Sequence, residues 1–97
     1  MENWLFEEQA NVAVITTKSI LNKSSDILQV WHDEDDGGWQ FLDGSDVDEE
    51  DALIIGLKEI VELDDSISQL LSSLPLGWVA FRNNKNSKWE MINSEDI

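Results

Sequence analysis

Ten carboxylates crowd into two neighbouring runs. Asp33, Glu34, Asp35 and Asp36 form the first; Asp43, Asp46, Asp48, Glu49, Glu50 and Asp51 form the second. Two kinds of chemistry suit such a pattern: coordination of a hard cation, or recognition of a positively charged surface. Calcium takes six to eight oxygen ligands, so the composition invites the first. The spacing opposes it. Counted from Asp33, Gly37 falls where an EF-hand loop needs an oxygen ligand, and Gly44 where it needs glutamate. Counted from Asp46, Asp51 stands where the invariant glycine belongs. No metal and no cofactor is assigned, and the ten carboxylates are read as candidate partner-binding residues.

Catalytic chemistry has less to work with. His32 is the lone histidine, and a general base needs a nucleophile to activate and a group to orient it. Asp33 follows it directly, but adjacent residues of a strand point to opposite faces. The chain has no cysteine, which removes thiolate nucleophiles, disulfides and the usual sulfur ligands of zinc. No glycine-rich phosphate loop is present; Gly37, Gly38 and Gly44 lie among carboxylates that repel a phosphate. No catalytic residue is assigned, and the chain is read as a binding protein and not an enzyme. The alternative is a metal- or small-molecule-binding domain, or an enzyme with no readable motif.

Charge narrows the partners further. The 97 residues carry 21 acidic and 6 basic side chains, a formal charge of −15. Nucleic acid and anionic membranes need lysine or arginine to neutralise phosphate, so both are excluded as partners. A basic protein is the expected one. The N-terminus is acidic where a secretory signal is basic. No apolar run approaches the roughly 20 residues of a membrane span. The expected setting is the cytoplasm of a bacterium. The length is that of one domain, taken as residues 1–97 without a linker, with oligomeric state left open.

These residues must be positioned by a small set of elements. Expected strands lie at about 12–17, 27–32, 38–42, 52–55, 78–82 and 88–92, and short helices at about 57–63 and 66–73. The fold class is α+β, with a mainly antiparallel sheet of about five or six strands. Val12 to Thr17 is a β-branched run, apolar enough to suggest cover on both faces. Ile20 and Leu21 anchor a loop or a single helical turn. Alternation puts Leu28, Val30 and His32 on one face of the second strand, with Ile27, Gln29 and Trp31 on the other. The run Asp33 to Gly37 then makes a hairpin tip, and Trp39 and Phe41 share a face on the return strand.

Leu57, Ile60 and Val61 have the spacing of one helical face. Ser66 and Gln69 fit a capping box ahead of Ile67, Leu70, Leu71 and Leu74, and Pro75 stops that helix. Trp31, Trp39, Trp78 and Trp89 fall on expected strands. In an acidic chain they are better explained as packing than as a base-stacking platform. Trp4, with Leu5 and Phe6, is expected to pack aromatic area on the domain edge. Four of the six basic residues follow Ile55, which suggests a charge gradient with one strongly negative end.

The run from His32 to Leu42 resembles a segment of a family of small bacterial proteins built on a domain of unknown function. The later pattern of that family is matched between Asp64 and Arg82, through Leu74, Pro75, Gly77, Trp78, Ala80 and Arg82, and its terminal tryptophan strand by Trp89. The resemblance covers most of the chain from Val12 onward. The family is similar to a wider group that includes proposed immunity proteins of bacterial toxin systems. The resemblance implies no catalytic residues. It implies an immunity-like role; the charge adds the expectation that the acidic tip and loop meet a basic, toxin-like protein.

Overall fold

A computed structural model of the chain describes residues 11–46 and 48–97. The expectations for Trp4, Leu5 and Phe6 lie outside the described residues. Six strands form one mixed sheet: β1 Ala13–Thr17, β2 Gln29–His32, β3 Trp39–Leu42, β4 Ala52–Gly56, β5 Trp78–Phe81 and β6 Glu90–Asn93. Three short helices join them: α1 Lys18–Leu21, α2 Leu57–Leu63 and α3 Ser68–Leu71. The architecture is α+β, as the alternation and the helical spacing indicate.

The strand order across the sheet is β4-β1-β3-β2-β5-β6. Four of the five ladders are antiparallel. The exception is β1 beside β3, parallel, with Ile15 opposite Gln40. A buried side chain reinforces that pair: Thr16 Oγ1 donates to the Phe41 carbonyl at 2.9 Å. Because β1 enters between β3 and β4, the first strand among the described residues is an interior strand of the sheet.

The core lies on one face. Val14, Val30, Trp39, Phe41 and Ala80 project from the sheet toward Ile20, Leu57, Ile60, Ile67, Leu70 and Leu74 of the helical layer, all buried. The i, i+3 pair Leu57 and Ile60 is thus the buried stripe of α2. Four large apolar residues on the described sheet remain exposed: Ile15 (40%), Ile54 (72%), Phe81 (37%) and Met91 (44%). The first three belong to the opposite face; Met91, on β6, pairs with buried Ala80. The expected double cover of the first strand is therefore corrected. Val14 and Thr16 are buried while Ala13 and Ile15 face out. β-Branched composition gives a strong strand signal regardless of whether one face or two is covered.

The second helical segment also differs from its expectation. Asp64, and not Ser66, supplies the cap: Asp64 Oδ1 accepts from the Ser66 amide at 3.0 Å and from the Ser66 hydroxyl at 2.7 Å. A 3-10 turn over Asp65–Ile67 follows, and α3 continues from it. Aspartate two residues ahead of a serine competes directly for the free amides of the first turn, and a carboxylate is the stronger acceptor.

Candidate functional site

The acidic tip is built by the β2–β3 hairpin. The ladder pairs His32 with Trp39 and closes with the Asp33 amide donating to the Gly38 carbonyl at 2.8 Å. The Gly37 amide then donates back to the Asp33 carbonyl at 3.0 Å, with Gly37 at φ +72°. That left-handed conformation is what lets so short a loop reverse, and glycine reaches it without Cβ strain. Local bonds hold two of the four acids. Asp36 Oδ1 accepts from the Gly38 amide at 2.7 Å, and Asp33 Oδ2 from the Gln40 side chain at 2.9 Å. Glu34, Asp35 and Asp36 are exposed.

His32 is a brace for this tip. Its ring stacks on Trp39 with centroids 3.8 Å apart and planes 13° from parallel. Nδ1 lies 2.8 Å from the Leu74 carbonyl oxygen, which can only accept, so that nitrogen carries the proton. The His32 carbonyl in turn accepts from the Gly77 amide at 2.7 Å. Ring and backbone together pin the 74–77 connection against the tip. A side chain held on both sides in this way is structural, in keeping with its reading as a hydrogen-bonded strand residue.

The other acidic run follows β3. Asp43 Oδ1 accepts from the Ser45 amide at 3.0 Å and the Ser45 hydroxyl at 2.5 Å, and these bonds hold the Asp43 carboxyl below the ordinary carboxylate range. Asp48 Oδ1 accepts from the Glu50 amide at 3.2 Å and starts a 3-10 turn over Glu49–Asp51. Asp46, Asp48, Glu49, Glu50 and Asp51 are exposed. None of the ten candidate carboxylates forms an ion pair with a described residue.

The two runs do not share one end of the molecule. Asp33 to Asp36 follow His32, at the end of the sheet marked by Trp39 and Trp78; Asp43 to Asp51 follow Leu42, at the end marked by Thr17 and Ala52. A four-residue strand separates them, about 13 Å at ~3.3 Å per residue. The charge therefore does not gather at a single negative end. The chain folds back on itself between the runs, and closeness in sequence does not survive that reversal.

Two acids overlooked in the sequence join the tip. The β5–β6 ladder pairs Trp78 with Asn93, and the Ser94 amide donates to the Gly77 carbonyl at 2.9 Å. The 3-10 turn Ser94–Asp96 thus brings exposed Glu95 and Asp96 to the same end as Asp33 to Asp36. A shallow groove of about 400 Å³ runs there, lined by Trp31, Asp33, Glu34, Asp36, Trp78 and Ser94 among others. Only the strand register reveals this neighbourhood.

Arg82 also changes its meaning. It is buried, and all five of its N–H bonds have acceptors. Nε and Nη2 fork onto the Ile27 carbonyl at 3.0 and 2.8 Å; Nη2 also pairs with Asp64 Oδ2; Nη1 reaches Ser66 Oγ and the Lys85 carbonyl, each at 3.1 Å. Its guanidinium carbon sits 4.1 Å from the centroid of the Trp89 ring. The Trp89 indole donates to Ser66 Oγ at 3.0 Å. This network explains Asp64, Arg82 and Trp89 as a structural lock.

Among the described residues no group of three or more His, Cys, Asp or Glu is placed to hold a metal ion. No helix among them is long and apolar enough to cross a membrane.

Fold and surface thus define a small α+β domain with acidic ends and a one-sided core. The chain matches the model of the Immunity protein Imm33 domain over residues 29–93, about two thirds of its length, and belongs to that family. The match runs from β2 through β6. No curated protein and no solved structure matches the chain.

Proposed function

We propose that this chain is an immunity protein that neutralises a bacterial toxin by binding it. In this reading the tip Asp33 to Asp36 and the loop Asp43 to Asp51 meet basic side chains of the toxin. Family membership supports the immunity role. The observation that carries the charge argument is that all ten carboxylates lack a described cationic partner. Unneutralised charge of one sign accelerates encounter with an oppositely charged protein by 10–10³-fold and suppresses wrong partners. The reading is of recognition and not of turnover. Most carboxylates in the two runs are exposed, and His32 is committed to bracing the tip.

The test is association kinetics between the purified chain and the toxin encoded beside its gene. Among the described residues the tip's side-chain hydrogen bonds are made by Asp33 and Asp36 and not by Glu34 or Asp35, so Glu34→Gln with Asp35→Asn should remove charge while leaving the hairpin intact. The expected result is a slower on-rate and a flatter dependence on salt. A neutral variant that associates as fast as the native chain at low salt would remove the charge argument. A native chain that neither binds nor protects would remove the immunity reading.

A further inference from the structure

The sheet face turned away from the helices carries an apolar row outside the buried cluster that packs against them. Strand pairing sets Ile54 beside Ile15, Ile15 beside Gln40, Gln40 beside Trp31, Trp31 beside Val79, and Val79 beside Ile92. One row therefore crosses all six strands, with five apolar members in six. Ile54 and Ile15 are exposed, Gln40, Trp31 and Ile92 half-buried, and Val79 is buried beneath its neighbours in the row. Phe81 and Gln29 stand one pleat further along the same face. A groove of about 340 Å³ opens there, lined by Gln29, Trp31, Val79, Phe81, Ile92 and Ile97.

The acidic runs bracket this face. At one end Trp31 lines both the apolar groove and the acidic groove beside the tip, and Gln40 in the row holds Asp33. At the other end Gln29 lies beside Gly44, in the loop that begins at Asp43. The Trp31 indole donates to Gln29 Oε1 at 3.2 Å, so its polar edge is satisfied while its ring stays on the face. An apolar centre with a charged rim is the anatomy of a protein interface.

We infer that this open sheet face is the apolar centre of the toxin contact, with Trp31 as its anchor, and that the two acidic runs are the rim. The inference deepens the immunity reading and rests on it. The occupant it fits is a protein surface with a small apolar prominence flanked on two sides by lysine or arginine. A second copy of this chain does not fit: it would bring another charge of −15 and two more acidic rims against the first. Size argues for rim and centre acting together. Six strands spaced ~4.8 Å and four residues long give a footprint of roughly 300 Å², well under the ~800 Å² per partner of a standard interface.

The experiment compares Trp31→Ala and Phe81→Ser with the native chain, measuring toxin affinity, dissociation rate and salt dependence. Phe81 is exposed, so its variant tests the face even if Trp31→Ala fails to fold, which melting checks. The expected result is a dissociation constant raised about 30-fold for Trp31→Ala, the scale of an aromatic hot spot. Phe81→Ser should raise it less. The change should appear in dissociation, with the salt slope unaltered. Affinities within about threefold of native in folded variants, while the toxin still binds the native chain, overturn the apolar centre and leave the immunity reading standing. A native dimer that Phe81→Ser converts to monomer also overturns it, by giving the face to a second copy. A toxin that fails to bind the native chain overturns both.

Discussion

Arg82 pairs with Asp64 at the meeting point of the sheet and the helical layer, with the arginine side chain 1% and the aspartate 13% exposed. Ser66 completes the link. Its hydroxyl donates to Asp64 and accepts from both Arg82 and the Trp89 indole, which exhausts its capacity of one donor and two acceptors. Four residues from two separate stretches of the chain, 64–66 and 82–89, thus share one saturated network.

Removing one member should therefore be costly. Arg82→Ala removes the cationic partner of Asp64 Oδ2 and the donors to the Ile27 carbonyl, and about 3–5 kcal/mol of stability should be lost. Arg82→Lys should lose much of the same, because an ammonium cannot reproduce the fork onto Ile27 or lie flat on Trp89. Urea denaturation of the two variants checks this; an Arg82→Lys protein as stable as native would contradict it.

Acid should act through the same aspartate. Burial alone would raise the Asp64 carboxyl, but the Ser66 hydroxyl, the Arg82 guanidinium and the Ser66 amide outweigh it and hold it below the ordinary value of 3.8. A carboxyl depressed in the folded state contributes stability that is present above that ordinary value and lost as pH falls through the folded one. Asp43 acts in the same direction through Ser45. Urea midpoints measured as a function of pH should fall below about pH 4. Asp64→Asn should be less stable throughout, with a shallower fall in that window.

Gly77 should resist substitution. It sits at φ +79°, and a Cβ there would come within 3.2 Å of Glu34 Oε2. Gly77→Ala should cost about 1–2 kcal/mol from backbone strain, with the flexible glutamate moving aside. Its amide anchors the His32 carbonyl, so hydrogen exchange at the hairpin tip should quicken in that variant.

Trp39 separates packing from polarity. It is 2% exposed, stacked on His32 and Phe41, and its indole nitrogen is buried without a partner among the described residues. Trp39→Ala should lose about 3–5 kcal/mol through the cavity. Trp39→Phe should lose distinctly less, because it also removes an unpaired buried N–H. Thermal melts of the pair check the ordering.

Local signals carried much of the fold. The β-branched run at Val12 to Thr17, the glycines at 37 and 38, and the stripe Leu57, Ile60 and Val61 each name an element from neighbouring residues alone, and α2 lies where its spacing puts it. What could not be read is what depends on distant pairing. Nothing in Ile15 or Gln40 announces a parallel ladder between them. Arg82 looks like any polar residue after a strand until Ile27, Asp64 and Lys85 arrive around it. The candidate carboxylates were visible by type, but their division between two ends of the sheet was not. Nor was the row from Ile54 to Ile92, whose members come from six separate strands.

The interior position of β1 has a consequence for how the chain can be taken apart. The family match begins at Gln29, yet Ala13–Thr17 lies between β3 and β4. A fragment beginning at residue 29 would keep the β3-β2-β5-β6 ladder but leave β4 with no neighbour and β3 with a raw edge. Such a fragment is a socket and residues 11–28 are its plug. Added in trans, that peptide should restore the missing rung between β3 and β4.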